Sequence, residues 1–430
     1  MSRADAASVR RRFLALTATR WLPTGLLIPV LIILVRERGL SLTTIGVISG
    51  VGSLTVALLE LPTGGLADAV GRRPVLLAAG VFSLASMSVI AFADSVALFT
   101  LAWVIEGVYR ALDSGPLEAW YVDAAQAADP DADIEAGLAA QSATLSAAIA
   151  VGSLAGGGLA LVPVPAALPV LALPLLVAIA LRVCDLTAMW FMLAEPSKAA
   201  RERPTTRPGA ARTCARDAGR TVREALALLR TSRALLALAA VEALWGAGMT
   251  GVEILSGPRM VDLLGDADAG VAAYALTAAL AWSISGLGAA AAPWLARRTG
   301  SWVAAAVVTR VAQAAGVTVA VVLAGPAGLV LGYLGFYLVH GAANVAHYGL
   351  VHRHTSAAHR STMVSVNSLT SRIGGVVGAP VLGALAAQAG LPAAFALAAV
   401  LLALPTPLYL LCRPRRQPAA DTAKAFQAAI

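Results

Sequence analysis

Glu106, Arg110 and Asp113 fall at i, i+4 and i+7 inside an otherwise apolar stretch, residues 96–122. On a helix that spacing places all three on one stripe. A charge at the centre of a membrane costs about 2.5–3.5 kcal/mol on insertion scales, so it is first read as functional. Two carboxylates flanking one guanidinium leave one carboxylate without a counter-charge, able to take up and release a proton. From an outer start near Val96, a rise of about 1.5 Å per residue puts Glu106 about 15 Å deep, close to the midplane. Glu106 is therefore the candidate proton-coupling site, Arg110 its switchable partner and Asp113 the third member. A static pair that only satisfies itself is the alternative.

Other charges interrupt apolar runs. Arg20 in the first and Glu242 in the seventh occupy equivalent depths and are expected to face a shared cavity. Arg182 and Asp185, at i and i+3, are expected to pair with each other; Arg310 is a weaker candidate. Arg372, mid-way along the eleventh run, either attracts an anionic substrate or neutralises Glu242. His340, Asn344 and His347 form another i, i+4, i+7 stripe, which is either a titratable cavity wall or a set of helix–helix hydrogen bonds. The loop "HRHTSAAHR" holds three histidines with no carboxylate or thiol nearby, so no metal site is expected, and no cofactor.

These residues must be carried by helices. Of 430 residues, 58% are hydrophobic and 13% charged, and the mean hydropathy is +0.77. A helix crosses the hydrocarbon core in about 20 mainly apolar residues. That rule predicts twelve spans: 13–35, 44–62, 74–93, 96–122, 137–162, 168–193, 233–255, 269–295, 302–324, 326–350, 363–387 and 390–412. The run at 13–35 is too long for a cleaved signal, although "RRRFL" precedes it. With both termini cytoplasmic, 24 of the 32 Lys and Arg residues fall in inside segments and three outside, which orients the chain. Basic residues confined to short connectors mark topology and not a nucleic-acid footprint. The three cysteines offer no disulfide framework.

The long connector divides the chain into a six-helix bundle at 1–193, a cytoplasmic loop at 194–232, a second bundle at 233–412 and a cytoplasmic tail at 413–430. Within the loop, "AGRTVREALALLR" reads as a short amphipathic helix on the inner face or as plain solvated linker. The halves echo each other. "LADAVG" (Leu66–Gly71) recurs as "LARRTG" (Leu295–Gly300), each between the second and third spans of its half. Gly152 and Gly156 in the fifth span are matched by Gly374 and Gly378 in the eleventh, positions suited to close helix packing. The fold expected is an all-α membrane protein, two pseudo-symmetric bundles around a central cavity.

"GGLADAVGRRPVLL" (Gly64–Leu77) closes the case for a family. With twelve spans, a long central loop and a second copy of the motif, it resembles the loop 2–3 signature of the major facilitator superfamily, G-x-L-A-D-x-x-G-R-R/K. Gly64 and Gly71 allow a tight turn, and Asp68 and Arg72 share a face if the segment is helical. The resemblance implies that Asp68 meets the start of the eleventh span near Ser361 and Thr362, where a helix N-terminus favours a carboxylate, and that Arg72 pairs with Asp123. Gly64, Asp68, Gly71, Arg72, Arg73 and Asp123 are thus a candidate gate latch; a positive-inside anchor is the alternative. "ELPTG" and "RALDSGPLEAW" look like a bacterial branch with many drug-exporter-like members. Two departures from family patterns accompany this, the second of which weakens export by antiport. The usual R-x-x-Q-G of the fourth span is replaced by Glu106, Gly107 and Arg110. In the fifth, Gly157 and Ala143 replace a proline and a glycine of the antiporter signature.

The chain carries no phosphate loop, metalloprotease helix or nucleophile elbow, so it is not read as an enzyme. The expected function is secondary transport by alternating access: proton-coupled export of a small amphiphilic molecule across the bacterial inner membrane, by a monomer. Its partners are then the substrate, protons and the lipid bilayer. Uptake by symport, or a non-transporting sensor or assembly partner, are the alternatives.

Overall fold

The computed structural model describes residues 3–64, 66–165, 171–193, 223, 227–356 and 359–413; within the helices, the side chains at 3–5, 61, 64, 68, 69 and 361 lie outside that description. All regular structure among the described residues is helical. The first bundle holds α1 (Arg3–Leu27), α2 (Leu31–Glu37), α3 (Leu42–Gly64), α4 (Leu66–Val70), α5 (Arg72–Phe92), α6 (Val96–Asp113), α7 (Pro116–Ala128), α8 (Ile134–Ala160) and α9 (Ala172–Met192). The second holds α10 (Arg233–Leu264), α11 (Ala267–Arg298), α12 (Trp302–Val322), α13 (Pro326–Arg353), α14 (Arg360–Ala389) and α15 (Leu391–Ala403), with a 3₁₀ turn at Thr406–Cys412. Most of the central loop and the tail beyond Arg413 lie outside the described residues, as does most of the expected amphipathic helix.

Among the described residues, eleven helical stretches are long and apolar enough to cross a membrane. The remaining crossing is α6 with α7, which carries Glu106, Arg110 and Asp113. Three expected spans are broken, the twelfth where α15 ends at Ala403 and the 3₁₀ turn follows at Thr406. The first is interrupted at residues 28–30, where Pro29 has no N–H to extend the ladder. The fourth breaks at Ser114 and Gly115: Gly115 adopts φ +94°, which favours glycine, and Pro116 opens α7 at its first turn. The seventh span runs nine residues past its expected end at 255, to Leu264.

Lipid gives helices no hydrophobic reason to associate, so close packing at small residues holds such bundles together. In the first bundle α8 crosses α1 at Gly152 and Gly156, where a Cβ would collide with the backbone of Leu22 and Leu26. In the second, α14 crosses α10 at Gly374 and Gly378 against the backbone of Ala243 and Ala247. The same helix pair in each half is joined by the same device. Gly71 and Gly300, the ends of the repeated motif, both take positive φ, +105° and +79°.

The halves meet along two seams, α3 on α14 and α8 on α11. Glycines again permit the approach: Gly46 faces Ala379, Gly383 faces Leu42, and Gly157 faces Ala275. On the face away from α4, the apolar core is shared. Val271 of α11 is buried among Leu26, Ile33, Ile45 and Phe99 of the first bundle. On the α4 face, each core draws on one bundle alone. Phe13, Leu16, Leu76 and Trp120 form one; Leu235, Val241, Ala306 and Val351 form the other. The cleft between the bundles therefore opens toward α4.

Candidate functional site

Charges on the two bundles confront each other across the cleft, an ion pair on α6 and two electrostatically coupled side chains opposite. On α6, Arg110 Nε donates to Glu106 Oε1 at 3.0 Å, with the side chains 39% and 30% exposed. On the facing bundle, Glu253 of α10 and Arg372 of α14 are both exposed. Exposure in a membrane protein can mean lipid, but Glu253 lies within electrostatic reach of Arg372 and of Arg110 in the other half. Arg372 is similarly coupled to Arg110 and to Glu60 of α3. These side chains therefore point into the cleft. Glu253 is also coupled to the hydroxyls of Tyr274, Tyr333 and Tyr337, an aromatic cluster buried in the core of the second bundle. Glu106, Arg110, Glu253 and Arg372, with Glu60 toward the α4 end, make a mixed-charge group coupled across the two bundles.

Asp113 belongs elsewhere, which corrects the expected three-charge stripe. Arg20 Nε donates to Asp113 Oδ2 at 2.8 Å, and the ion pair is only 4% and 14% exposed. A base from α1 supplies the counter-charge that α6 lacks. The surplus carboxylate inferred from α6 alone does not exist, and Arg20 does not face the cavity. Arg182 and Asp185 also close on each other, at 2.9 Å, with Thr19 donating to Asp185 at 2.9 Å.

Glu242 is likewise buried, with a network of its own. Arg310 Nη2 donates to Glu242 Oε2 at 3.4 Å, Nη1 to Gln313 Oε1 at 3.0 Å and Nε to the Tyr409 hydroxyl at 3.3 Å. His347 Nε2 faces two acceptors, Asn367 Oδ1 at 2.9 Å and Glu242 Oε2 at 3.4 Å, while Nδ1 meets the Tyr409 hydroxyl at 2.8 Å. The tautomer that satisfies all of these carries its hydrogen on Nε2 and accepts from Tyr409 at Nδ1. Arg372 is thus not the partner of Glu242, which Arg310 already serves. His340 sits between the amides of Gln313, 3.2 Å, and Asn344, 3.1 Å, and stacks on Trp245. The stripe on α13 splits: His347 is wholly enclosed, while His340 and Asn344 are partly exposed.

In the loop motif, Arg72 Nη1 lies 2.5 Å from Asp123 Oδ2 and 2.8 Å from the Ala119 carbonyl, tying α5 to α7. Arg73 lies over the Trp190 ring at 4.8 Å and donates to its carbonyl at 2.7 Å. The side chains of Asp68 and Ser361, and so their expected contact, are outside the described residues. On the opposite face Arg36 of α2 pairs with Asp262 of α10 at 2.8 Å and donates to the Pro258 carbonyl at 3.3 Å. That pair joins the two bundles directly.

Sequence reasoning passed over Glu253, Glu60 and the Arg36–Asp262 pair. Glu253 carried the same signal as Glu106, an isolated carboxylate in an apolar run, but an end at 255 would have put it at the membrane surface.

The match to the family model described as Major Facilitator Superfamily spans residues 13–343. The uncharacterized MFS-type transporter YxaM of Bacillus subtilis (strain 168) is 28% identical over 108 residues, which is 25% of this chain and 27% of that relative. The match thus spans about a quarter of the relative's length. Among solved structures, the nucleoside transporter NupG superposes with a TM-score of 0.76 at 12% identity, covering 94% of this chain and 98% of that one. A bacterial homolog of the human lysosomal transporter Spinster, inward-facing and occupied, gives 0.73 at 15% identity, covering 96% and 97%. The human organic anion transporter MFSD10 gives 0.61 at 19% identity, covering 94% and 99%. At these identities the likeness is one of fold. Helices, halves and family model agree: the chain is a multi-pass membrane protein that belongs to the Major Facilitator Superfamily.

Proposed function

We propose that this protein is a proton-coupled secondary transporter that works by alternating access and exports a small amphiphilic molecule. The observation that carries the reading is the pair of charged couples, Glu106–Arg110 and Glu253–Arg372, opposed across a cleft between two pseudo-symmetric bundles. A scaffold gains nothing from charges held at mid-membrane in a water-accessible cleft, where each is costly. A transporter uses them: a substrate group or a proton that displaces one couple frees its partner, and the halves rock about the site. Superfamily membership and the fold shared with solved transporters support transport as such; export, protons and amphiphile are this reading's own additions.

The basic connectors favour a cytoplasmic α4 face and cytoplasmic termini, and in this reading the cleft faces inward. In this reading Glu106 is the proton-coupling residue and Arg110 its switchable partner. Arg72 and Asp123, with Asp68, form the latch that closes the inner side, and Arg36–Asp262 holds the outer side shut in the state described. The partly exposed Trp245, stacked on His340, suits the apolar part of an amphiphile.

The test is purified protein in vesicles with an entrapped pH indicator. A panel of small amphiphilic cations, anions and neutral compounds is added under an imposed proton gradient. Compound-dependent proton movement, with protons running opposite to the compound, is expected. Movement in the same direction would replace export by uptake. No proton response to any compound that is itself transported would remove the coupling.

A further inference from the structure

On the α4 face of the first bundle, the start of α1, the end of α7 and the connector to α8 enclose a cavity of about 480 Å³, a size within the range of about 300–1,000 Å³ usual for small-molecule sites. None of the cleft charges, Glu106, Arg110, Glu253 or Arg372, lines it. The connector reads "DPDADIEAG" from Asp129 to Gly137 and carries no Lys or Arg, unlike the other connectors on that face. Asp129, Asp131 and Asp133 all line the cavity, together with Arg10 of α1. Asp129 Oδ1 accepts from the Asp131 N–H at 3.1 Å, and Asp133 Oδ1 accepts from the Ala136 N–H at 2.8 Å as the N-cap of α8. Each of these bonds fixes a carboxylate and leaves its second oxygen for another donor. Among the described residues, no ion pair joins the three carboxylates to Arg10 or to any other base.

A second feature of the cavity is Tyr121 of α7, only 2% exposed. Phe13 stacks flat on its ring at 4.2 Å. Its hydroxyl end lies against Gly137, where a Cβ would collide with it, so glycine at 137 is what lets the phenol reach the connector. Arg10 and Asp133 both act on the hydroxyl electrostatically. The hydroxyl can donate one hydrogen bond and accept others, yet it makes none to a described residue. It is an enclosed polar group, held rigidly at the cavity wall, that the fold itself does not use. The carboxylates indicate the shape of what would use it. Among the described residues, no three His, Cys, Asp or Glu side chains are grouped to hold a metal ion. The three aspartates therefore share a cavity without converging on one point. A compact ion cannot serve them all, whereas an extended cation with more than one ammonium group can, its methylenes against Ala6, Ala7 and Ala125. Three carboxylates and one guanidinium leave the wall net negative, which favours a polycation over a neutral amine.

We propose that this cavity is a binding site for a linear organic polyamine, whose ammonium groups are held by Asp129, Asp131 and Asp133 and donate one hydrogen bond to the Tyr121 hydroxyl. The site belongs to one bundle and does not rest on the transporter reading, so its test needs no flux. The purified full chain in detergent is titrated calorimetrically with spermidine at fixed ionic strength. Saturable binding is expected, and magnesium ion at equal charge concentration is expected not to displace it. Tyr121→Phe keeps the ring stacked on Phe13 and is expected to weaken binding about two- to tenfold, the worth of one hydrogen bond. Asp131→Asn, at an exposed side chain, is expected to weaken it up to about fivefold. Arg10→Ala removes a like charge and is expected to tighten binding. Melting temperatures equal to the parent's ensure that each change in affinity is read on folded protein. Glu106→Gln and Glu253→Gln, in the cleft, are expected to bind spermidine as the parent does. Absence of saturable binding, full displacement by magnesium, or parent-like affinity in both Tyr121→Phe and Asp131→Asn would each overturn the proposal. Loss of binding in Glu253→Gln with Tyr121→Phe unchanged would place the polyamine in the cleft and overturn it as well.

Discussion

Two polar clusters lie within the membrane-spanning part of this protein, and they are built differently. In the second bundle, Glu242, Arg310, His347 and Tyr409 are at most 5% exposed, and hydrogen bonds connect them as a group. In the cleft, Glu106 and Arg110 are about a third exposed, Glu253 and Arg372 are exposed, and electrostatic coupling reaches from one bundle to the other. A buried ion pair with its hydrogen-bonding capacity filled is a fixture: separating its members strands a charge. A solvated pair is held loosely and can exchange partners at small cost. Intramembrane charge alone does not distinguish structure from function. Enclosure and the identity of the partner do.

The comparison breaks most visibly if the enclosed cluster is dispensable. Arg310→Met leaves Glu242 buried with only a neutral histidine, and is expected to cost about 3–5 kcal/mol. Thermal unfolding of the detergent-solubilised protein, followed by size-exclusion, should show that loss; a melting profile like the parent's would mean the cluster is not a fixture. Next in size is the cleft. Glu106→Gln and Glu253→Gln are each expected to change stability by less than about 1 kcal/mol, because the pairs are partly solvated. Coupled flux should nevertheless fall by about tenfold or more, the scale of one pH unit of proton linkage. Unfolding in place of uncoupling would put them in the same class as Glu242.

Smaller effects sharpen the two faces. Arg36→Ala removes a half-exposed pair worth about 0.2–1 kcal/mol, so the closed outer side should open up to about fivefold more often. Thiol labelling of Ile33→Cys, at a position buried in the state described, would report it; unchanged labelling would show that the apolar seam alone keeps that face shut. Asp123→Asn leaves Arg72 its bond to the Ala119 carbonyl. With Asp123 53% exposed, a stability change of no more than a few tenths of a kcal/mol is expected, with a several-fold change in turnover as the mark of a latch.

What was legible in the sequence is what lies along one helix or in one turn. Apolar length, basic connectors, the repeated Leu66–Gly71 motif and glycines four apart are local signals, and the twelve crossings in two halves followed from them. The pairing of Arg20 with Asp113 was not legible, because it depends on how α1 and α6 are rotated against each other. Without it, α6 looked one counter-charge short. The broken fourth span had its signal in "SGP", a glycine before a proline, within a run whose apolar residues continue on both sides. Glu253 was missed through a boundary. Apolar density falls after residue 255, but α10 stays helical to Leu264 by packing against the other bundle through Gly257 and the Arg36–Asp262 pair.

The account is most directly tested by counting protons moved per compound moved in vesicles, for the parent and for Glu253→Gln side by side. A fixed ratio in the parent, and exchange of compound without net proton movement in Glu253→Gln, is the predicted result. An identical ratio in both proteins would contradict the claim that the opposed couples of the cleft link substrate to protons.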